Sequence, residues 1–137
     1  MSTPKTGDQL KPFTLKGVSR ESMKAWAVFL HDPNPIHLDA EVVKAKGLGE
    51  KEINQGPTNV AYIINMLQEN FPTAVIDTVD SRFLDNVYAD DDIETYGTVT
   101  DVVENNGAVR VTCEIGLRVE GRGDVISGVA ILDVPAK

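Results

Sequence analysis

Apolar residues recur at helical spacing in the first half of the chain and at strand-like spacing in the second, so helices are predicted first and strands afterwards. After a short apolar stretch around Phe13 and Leu15, Ser19 and Ser22 precede Met23, Trp26, Ala27 and Leu30, a spacing that predicts a helix of about ten residues beginning near Ser19 or Arg20. Pro33 and Pro35 end it, because proline lacks a backbone donor and pushes the residue before it out of helical geometry. Asp32 therefore sits at a forced helix exit. Asp39 is positioned to cap a second short helix reaching Lys46, with Gly47 as its stop. Residues 57–70 form the most apolar helix: Val60, Ile63, Ile64, Leu67 and Phe71 make one stripe, Ala61, Tyr62 and Met66 widen it, and only the side bearing Thr58, Asn65 and Glu69 is left polar.

Residues 74–84, 93–104, 108–119 and 125–132 are rich in Val, Ile and Thr and are predicted to be strands. Asn105-Asn106-Gly107 is a strong hairpin signal, and Glu120-Gly121-Arg122-Gly123-Asp124 is a looser one. With a further strand near Phe13, the economical packing is a curved antiparallel sheet wrapped around the central apolar helix, since that helix needs a partner on nearly every side. This is the layout of a hot-dog fold, of α+β class, filling residues 1–137 as one domain.

The length of 137 residues suits a single core, and 42% hydrophobic with 25% charged residues at a mean hydropathy of −0.15 excludes a disordered, collagenous or disulfide-built chain. A net charge of −8 and a pI near 4.6 argue against nucleic acid or anionic lipid as bulk partners. No apolar run approaches the roughly 18 residues that cross a bilayer. One cysteine, Cys113, and a start, MSTPKTGDQLKPF, without the apolar stretch of a secretory signal lead us to expect a cytoplasmic protein.

The chemistry concentrates in HDPNPIHLD, residues 31–39. Two prolines fix two φ angles, so Asp32, Asn34 and His37 can converge from a stiff turn at little entropic cost on binding. A histidine that titrates near neutrality beside a carboxylate can hold a water between them, take a proton from it and return one to a neighbouring carbon. The bland alternative is an ordinary turn with a capping Asp32 and a solvated His37. A second candidate is Gly56: Ile-Asn-Gln-Gly-Pro, residues 53–57, leads into the central helix, where free backbone donors and the helix dipole favour negative charge and glycine permits close approach. Taken alone, it would be a loop glycine.

Together, the Asp32-Pro33-Asn34-Pro35-Ile36-His37-Leu38-Asp39 run, the helix-opening Gly56 and the Arg82-Phe83 strand followed by an acidic turn resemble the MaoC-like hot-dog dehydratases, which include the (R)-specific enoyl-CoA hydratases, or hydratase 2. The resemblance covers most of the chain. It implies a lyase of acyl-CoA metabolism in which Asp32 and His37 activate a water for addition to a trans-2-enoyl thioester, giving a (3R)-hydroxyacyl-CoA. Asn34 would help hold them, and the Gly56 N–H would serve the thioester oxygen. It further implies a homodimer or a dimer of dimers, acyl-CoA as substrate, and no cofactor beyond the CoA that the substrate carries. Gln55 stands where family members commonly carry His, and Asp91-Asp92 where Gly-Asp is common. Gln55 and Arg82 are candidate substrate contacts. Arg82 is the first choice for the CoA phosphates, ahead of Arg110, Arg118 and Arg122; all four could equally be solvated surface arginines.

Other signals carry less. Arg122-Gly123-Asp124 reads as a hairpin turn, Asp90-Asp91-Asp92 lacks the spacing of a calcium loop, and no metal is expected. Cys113 alternates with Val111 and Ile115 and is expected to be buried. No Ser or Cys stands in a nucleophile elbow. The alternatives that remain are a hot-dog thioesterase, an acyl-carrier-protein dehydratase, and a non-catalytic hot-dog subunit of a hetero-oligomeric hydratase.

Overall fold

The structure, a computed structural model, describes residues 3–135. Strand β1 (Thr14–Leu15) is followed by α1 (Arg20–Phe29), a 3₁₀ turn over Pro35–His37, α2 (Ala40–Ala45), α3 (Gly56–Asn70) and four longer strands. These are β2 (Val75–Phe83), β3 (Ile93–Asn105), β4 (Ala108–Val119) and β5 (Gly123–Pro135). They form one curved antiparallel sheet in the order β1-β3-β4-β5-β2, and α3 packs against β3 and β4. The predicted hot-dog arrangement is the observed one.

Local chemistry sets the boundaries. The Ser19 hydroxyl accepts from the Ser22 N–H at 3.2 Å, and the Asp39 carboxylate accepts from the Glu41 N–H at 2.9 Å, so each helix begins where its cap stands. At the β3–β4 hairpin Asn106 and Gly107 take φ of +51° and +80°, the paired positive φ of the turn whose twist matches its strands. Along β4 the side chains alternate: Val111, Cys113, Ile115 and Leu117 are buried, whereas Arg110, Thr112, Glu114 and Arg118 face outward, and on that outer side only Gly116 is covered, by the Tyr96 ring. Burial pushes the Cys113 thiol up to about 11, in keeping with an unreactive core residue. No described helix is long and apolar enough to cross a membrane.

The structure corrects some expectations. The N-terminal strand is only two residues long, extended by a single bridge from Gln9 to Thr98, and β5 runs beyond the expected residues 125–132 at both ends. The face that α3 buries is rotated from the expected stripe: Thr58, Asn59, Tyr62, Ile63, Met66 and Leu67 are buried, while Val60, Ala61 and Ile64 are only partly covered. Apolar residues nearly surround this helix, so its pattern does not fix the rotation. Hydrogen bonds from Asn54 Nδ2 to Asn59 Oδ1 at 2.8 Å and to the Tyr62 hydroxyl at 3.1 Å accompany the inward turn of its first two turns.

Edge strand β2 is seated by Gly128, which pairs with Ser81; a Cβ at Gly128 would collide with the backbone carbonyl of Asp80. Gly128→Ala should therefore prise β2 from β5 and lower stability by about 2 kcal/mol or more, measured as a drop in Tm and faster hydrogen exchange along Val75–Phe83.

Candidate active site

The site starts at the end of α1. The His31 N–H donates to the Val28 carbonyl at 3.2 Å and the Asp32 N–H reaches back to the Ala27 carbonyl at 2.9 Å, the two-bond helix stop whose central residue is left-handed. That residue is His31, at φ +51°, where glycine is usual. The chain turns sharply and presents Asp32, whose Oδ1 accepts from the Asn34 N–H at 3.2 Å. Asn34 caps the next turn, its Oδ1 accepting from the Ile36 N–H at 3.2 Å, and the 3₁₀ turn ends on His37.

His37 is buried, with 8% of its surface exposed, and lies with Nε2 3.3 Å from Asp32 Oδ2. Its Nδ1 lies 2.7 Å from the Ile53 carbonyl. A carbonyl can only accept, so Nδ1 carries the proton and a neutral ring turns its Nε2 lone pair toward the carboxylate. Two acceptors at that separation need a proton on the ring or a donor between them. A water, with two O–H groups, is such a donor. The five-residue offset between Asp32 and His37 thus becomes a facing pair because the proline turn folds one back onto the other.

The same contact brings in the second predicted element. The Ile53 N–H donates to the Ile36 carbonyl at 2.9 Å, so residues 36–37 and 53 are clasped by two bonds, and three residues later α3 opens at Gly56. The Gly56 N–H takes no partner among the described residues. It stands at the positive end of a 15-residue helix, as an oxyanion donor requires. The buried Asn54 Oδ1, Gln55 Oε1 and Thr58 Oγ1 likewise accept no hydrogen bond within the described chain. Buried polar atoms left so cost roughly 1–3 kcal/mol each, and such clusters are often found at functional sites.

Other candidates are placed elsewhere. Gln55 is fully buried and its Nε2 donates to the Met23 carbonyl at 2.8 Å, so it ties α1 to the entry of α3 rather than lining a cleft. Arg82 projects from the outer face of the sheet, beside a polar groove with Asp80, Thr112 and Glu114, on the side opposite α3. Within one chain it is not brought to Asp32 and His37. Arg110 pairs with Asp77 and Asp133, Arg118 with Glu94, and Arg122 with Asp85 and Asp91, so these three guanidiniums are already matched to carboxylates. The acidic run is engaged likewise: Asp90 with Arg20 and Lys51, Asp91 with Arg122, and Asp92 with Lys16. The neighbour that sequence reasoning named only as part of the Arg82-Phe83 strand, and did not assign to the site, is Phe83. Its ring lies 3.4 Å from where a Gly56 Cβ would be, and it is 55% exposed. Alternation along β2 was the available signal: if Arg82 faces outward, Phe83 faces the helix.

The profile of the family described as MaoC like domain matches residues 3–120. No curated protein matches the sequence. Among solved structures, the R-hydratase PhaJ1 from Pseudomonas aeruginosa superposes with a TM-score of 0.86 at 21% identity, over 98% of this chain and 84% of that one. The (R)-hydratase from A. caviae involved in PHA biosynthesis gives 0.85 at 19% identity, over 98% of this chain and 100% of that one. The ChsH1-ChsH2 complex from Mycobacterium tuberculosis gives 0.81 at 21% identity, over 96% and 99%.

The left-handed residue before Asp32 supplies a test of how this turn is held. His31→Gly removes the strain of a side chain at positive φ and should raise stability by about 1 kcal/mol, or Tm by about 4 °C, in a thermal melt.

Proposed function

The chain belongs to the MaoC-like domain family, and we propose on that premise that it is a hydro-lyase that adds water reversibly to trans-2-enoyl-CoA thioesters, giving (3R)-hydroxyacyl-CoA. The observation that carries the reading is the facing of His37 Nε2 and Asp32 Oδ2 at 3.3 Å, with a free helix N-terminus at Gly56 clasped to the same turn. A water held between the pair gives up one proton to it as the water oxygen bonds to C3. The electrons of the double bond move onto the thioester oxygen, where the Gly56 N–H stabilises the charge. A proton from the pair then reaches C2, and the sum is one added water. Asn34 acts as a positioning residue through its backbone bond to Asp32. The R-hydratases among the structural neighbours support this reaction class. No covalent intermediate is invoked, and the only cofactor-like group is the CoA of the substrate.

Assembly follows from the edge of the sheet. β2 offers nine residues with no strand on its outer side, and Val75, Phe83 and Leu84 at its ends are exposed, as are parts of Val60 and Ile64 on α3. An unpaired edge with apolar ends invites a second copy. A homodimer joined along β2 would bring Arg82, one of the few described cations without an acidic partner, close to the partner, where it could meet a CoA phosphate. The ChsH1-ChsH2 neighbour favours a second reading, in which the other copy is a related chain. Even then the complete Asp32, Asn34 and His37 set makes this the active subunit. The buried free thiol of Cys113 suits a reducing compartment such as the cytoplasm.

Asp32→Asn and His37→Gln should each lower kcat for hydration, followed as loss of the conjugated double bond of crotonyl-CoA, at least about 100-fold without loss of the fold. The double variant should be far less than multiplicatively worse, because both groups act on one water. Near-normal turnover by either variant removes the assignment. Light scattering at micromolar concentration should give twice the chain mass, and a charge placed on the exposed side of edge strand β2 by Thr78→Lys should shift it toward the monomer.

A further inference from the structure

Beneath the first turns of α3 lie three buried polar side chains with no direct part in the hydration step: Asn54, Asn59 and Tyr62. The Asn54 amide donates to Asn59 Oδ1 at 2.8 Å and to the Tyr62 hydroxyl at 3.1 Å, so the residue two before Gly56 grips the helix three and six residues after it. On its other side the Asn54 N–H donates to the Val87 carbonyl at 2.7 Å, and the neighbouring Ile53 carbonyl holds His37. The Tyr62 ring is itself seated. It stacks on Phe13 with centroids 5.9 Å apart, and the Phe13 N–H donates to the buried Thr95 Oγ1 on β3 at 2.8 Å. The start of α3 also lacks the ordinary cap. An N-cap side chain would accept from the first-turn N–H groups, yet Gln55 makes no such bond and gives its amide to Met23 instead. Pro57 has no N–H, and those of Gly56 and Thr58 take no partner among the described residues. Packing alone would favour apolar side chains in this corner, because Asn54 Oδ1 and Thr58 Oγ1 are buried without a partner among the described residues.

We infer that Asn54 is a positioning residue for the oxyanion donor: it holds the first turn of α3 from inside, through a side-chain donor, so that the Gly56 N–H is fixed in place and left free. The inference rests on the hydratase reading above. A capping Ser, Thr or Asp in place of Gln55 would steady the same turn by accepting from its N–H groups, and would compete with the thioester oxygen for the positive end of the helix. Donation from Asn54 to side-chain oxygens farther along the helix avoids that competition. Residues 53–56 run directly from the His37 acceptor to Gly56. A slip of the turn therefore changes the distance from the acid–base pair to the oxyanion donor, and a misplacement of about 1 Å can cost on the order of 100-fold in rate.

The test uses crotonyl-CoA for turnover and, for binding, butyryl-CoA carrying carbon-13 at the thioester carbonyl, a saturated analogue that cannot take up water. Asn54→Leu keeps the side-chain volume and removes the donor. It should lower kcat at least about 10-fold and leave KM within about 3-fold, the pattern of an interaction made in the transition state. In isotope-edited infrared difference spectra, the carbonyl band of bound butyryl-CoA should lie below its free-solution position for the wild type and for Asp32→Asn. In Asn54→Leu it should return toward the free position. Asn59→Leu removes an acceptor at the other end and should behave alike, and the double variant should be little worse than either single one. A structural role alone would lower Tm but leave the band and kcat per folded chain unchanged. That result, or a KM effect without a kcat effect, overturns the inference while the hydratase reading stands. Should Asn54→Leu not fold, Tyr62→Phe removes one acceptor and almost no volume, and an unchanged kcat and band in that variant overturn the inference. No turnover of crotonyl-CoA by the wild type overturns the hydratase reading and this inference together.

Discussion

The hydrogen bond from His37 Nδ1–H to the Ile53 carbonyl, at 2.7 Å, is the contact on which the site depends. It fixes which ring nitrogen carries the proton and which way the ring faces. With the Ile53 N–H on the Ile36 carbonyl, it also fastens the proline turn to the strand-like lead into α3. Without that clasp Asp32 and His37 would belong to one loop and Gly56 to another, with nothing to hold the pair and the helix N-terminus at a set separation. For the proposed hydration, which must align water, alkene and carbonyl at once, rigid placement of this kind would be worth several kcal/mol.

Around this bond the backbone is constrained rather than packed. Pro33 and Pro35 restrict φ, Asn34 caps the turn, and a left-handed His31 redirects the chain out of α1. Each is a local device, and each limits the positions Asp32 can take. The arrangement stays partly open to solvent on the Asp32 side, while His37 is almost covered.

Electrostatics divide the molecule. Carboxylates outnumber cations, and Arg20, Arg110, Arg118 and Arg122 are all held by acids, two of them, Arg20 and Arg122, pinning the acidic turn after β2 to α1 and to the β4–β5 turn. These exposed pairs stabilise little individually, but they remove most guanidiniums from service as phosphate ligands. Among the described residues Lys5, Lys11, Lys46 and Arg82 keep no acidic partner within ion-pair distance. Any anionic half of a ligand must find its charge among so few groups or on a second chain.

By itself, the sequence determined what depends on neighbours in the chain. Caps at Ser19 and Asp39, the Asn-Gly hairpin and the β4 alternation are consequences of hydrogen bonds and torsions within a few residues, and they were readable without a fold; the stop of α1 was not, because Pro33 marks it too late and it falls earlier, at the left-handed His31. So was the concentration of chemistry in residues 31–39, because two prolines make a turn whatever surrounds it. What only the tertiary structure decided depends on partners distant in sequence. The rotation of α3 was open because apolar residues nearly encircle it, and long-range packing placed Thr58 and Asn59 inward and left Val60 and Ile64 half covered. Gln55 could equally have met a ligand or a carbonyl, and Met23, 32 residues away, supplied the carbonyl. Arg82 and Phe83 differ by one residue, yet the register of β2 on β5 puts one on the outer face and the other against Gly56, because side chains in a strand alternate and only the pairing says which set faces the helix.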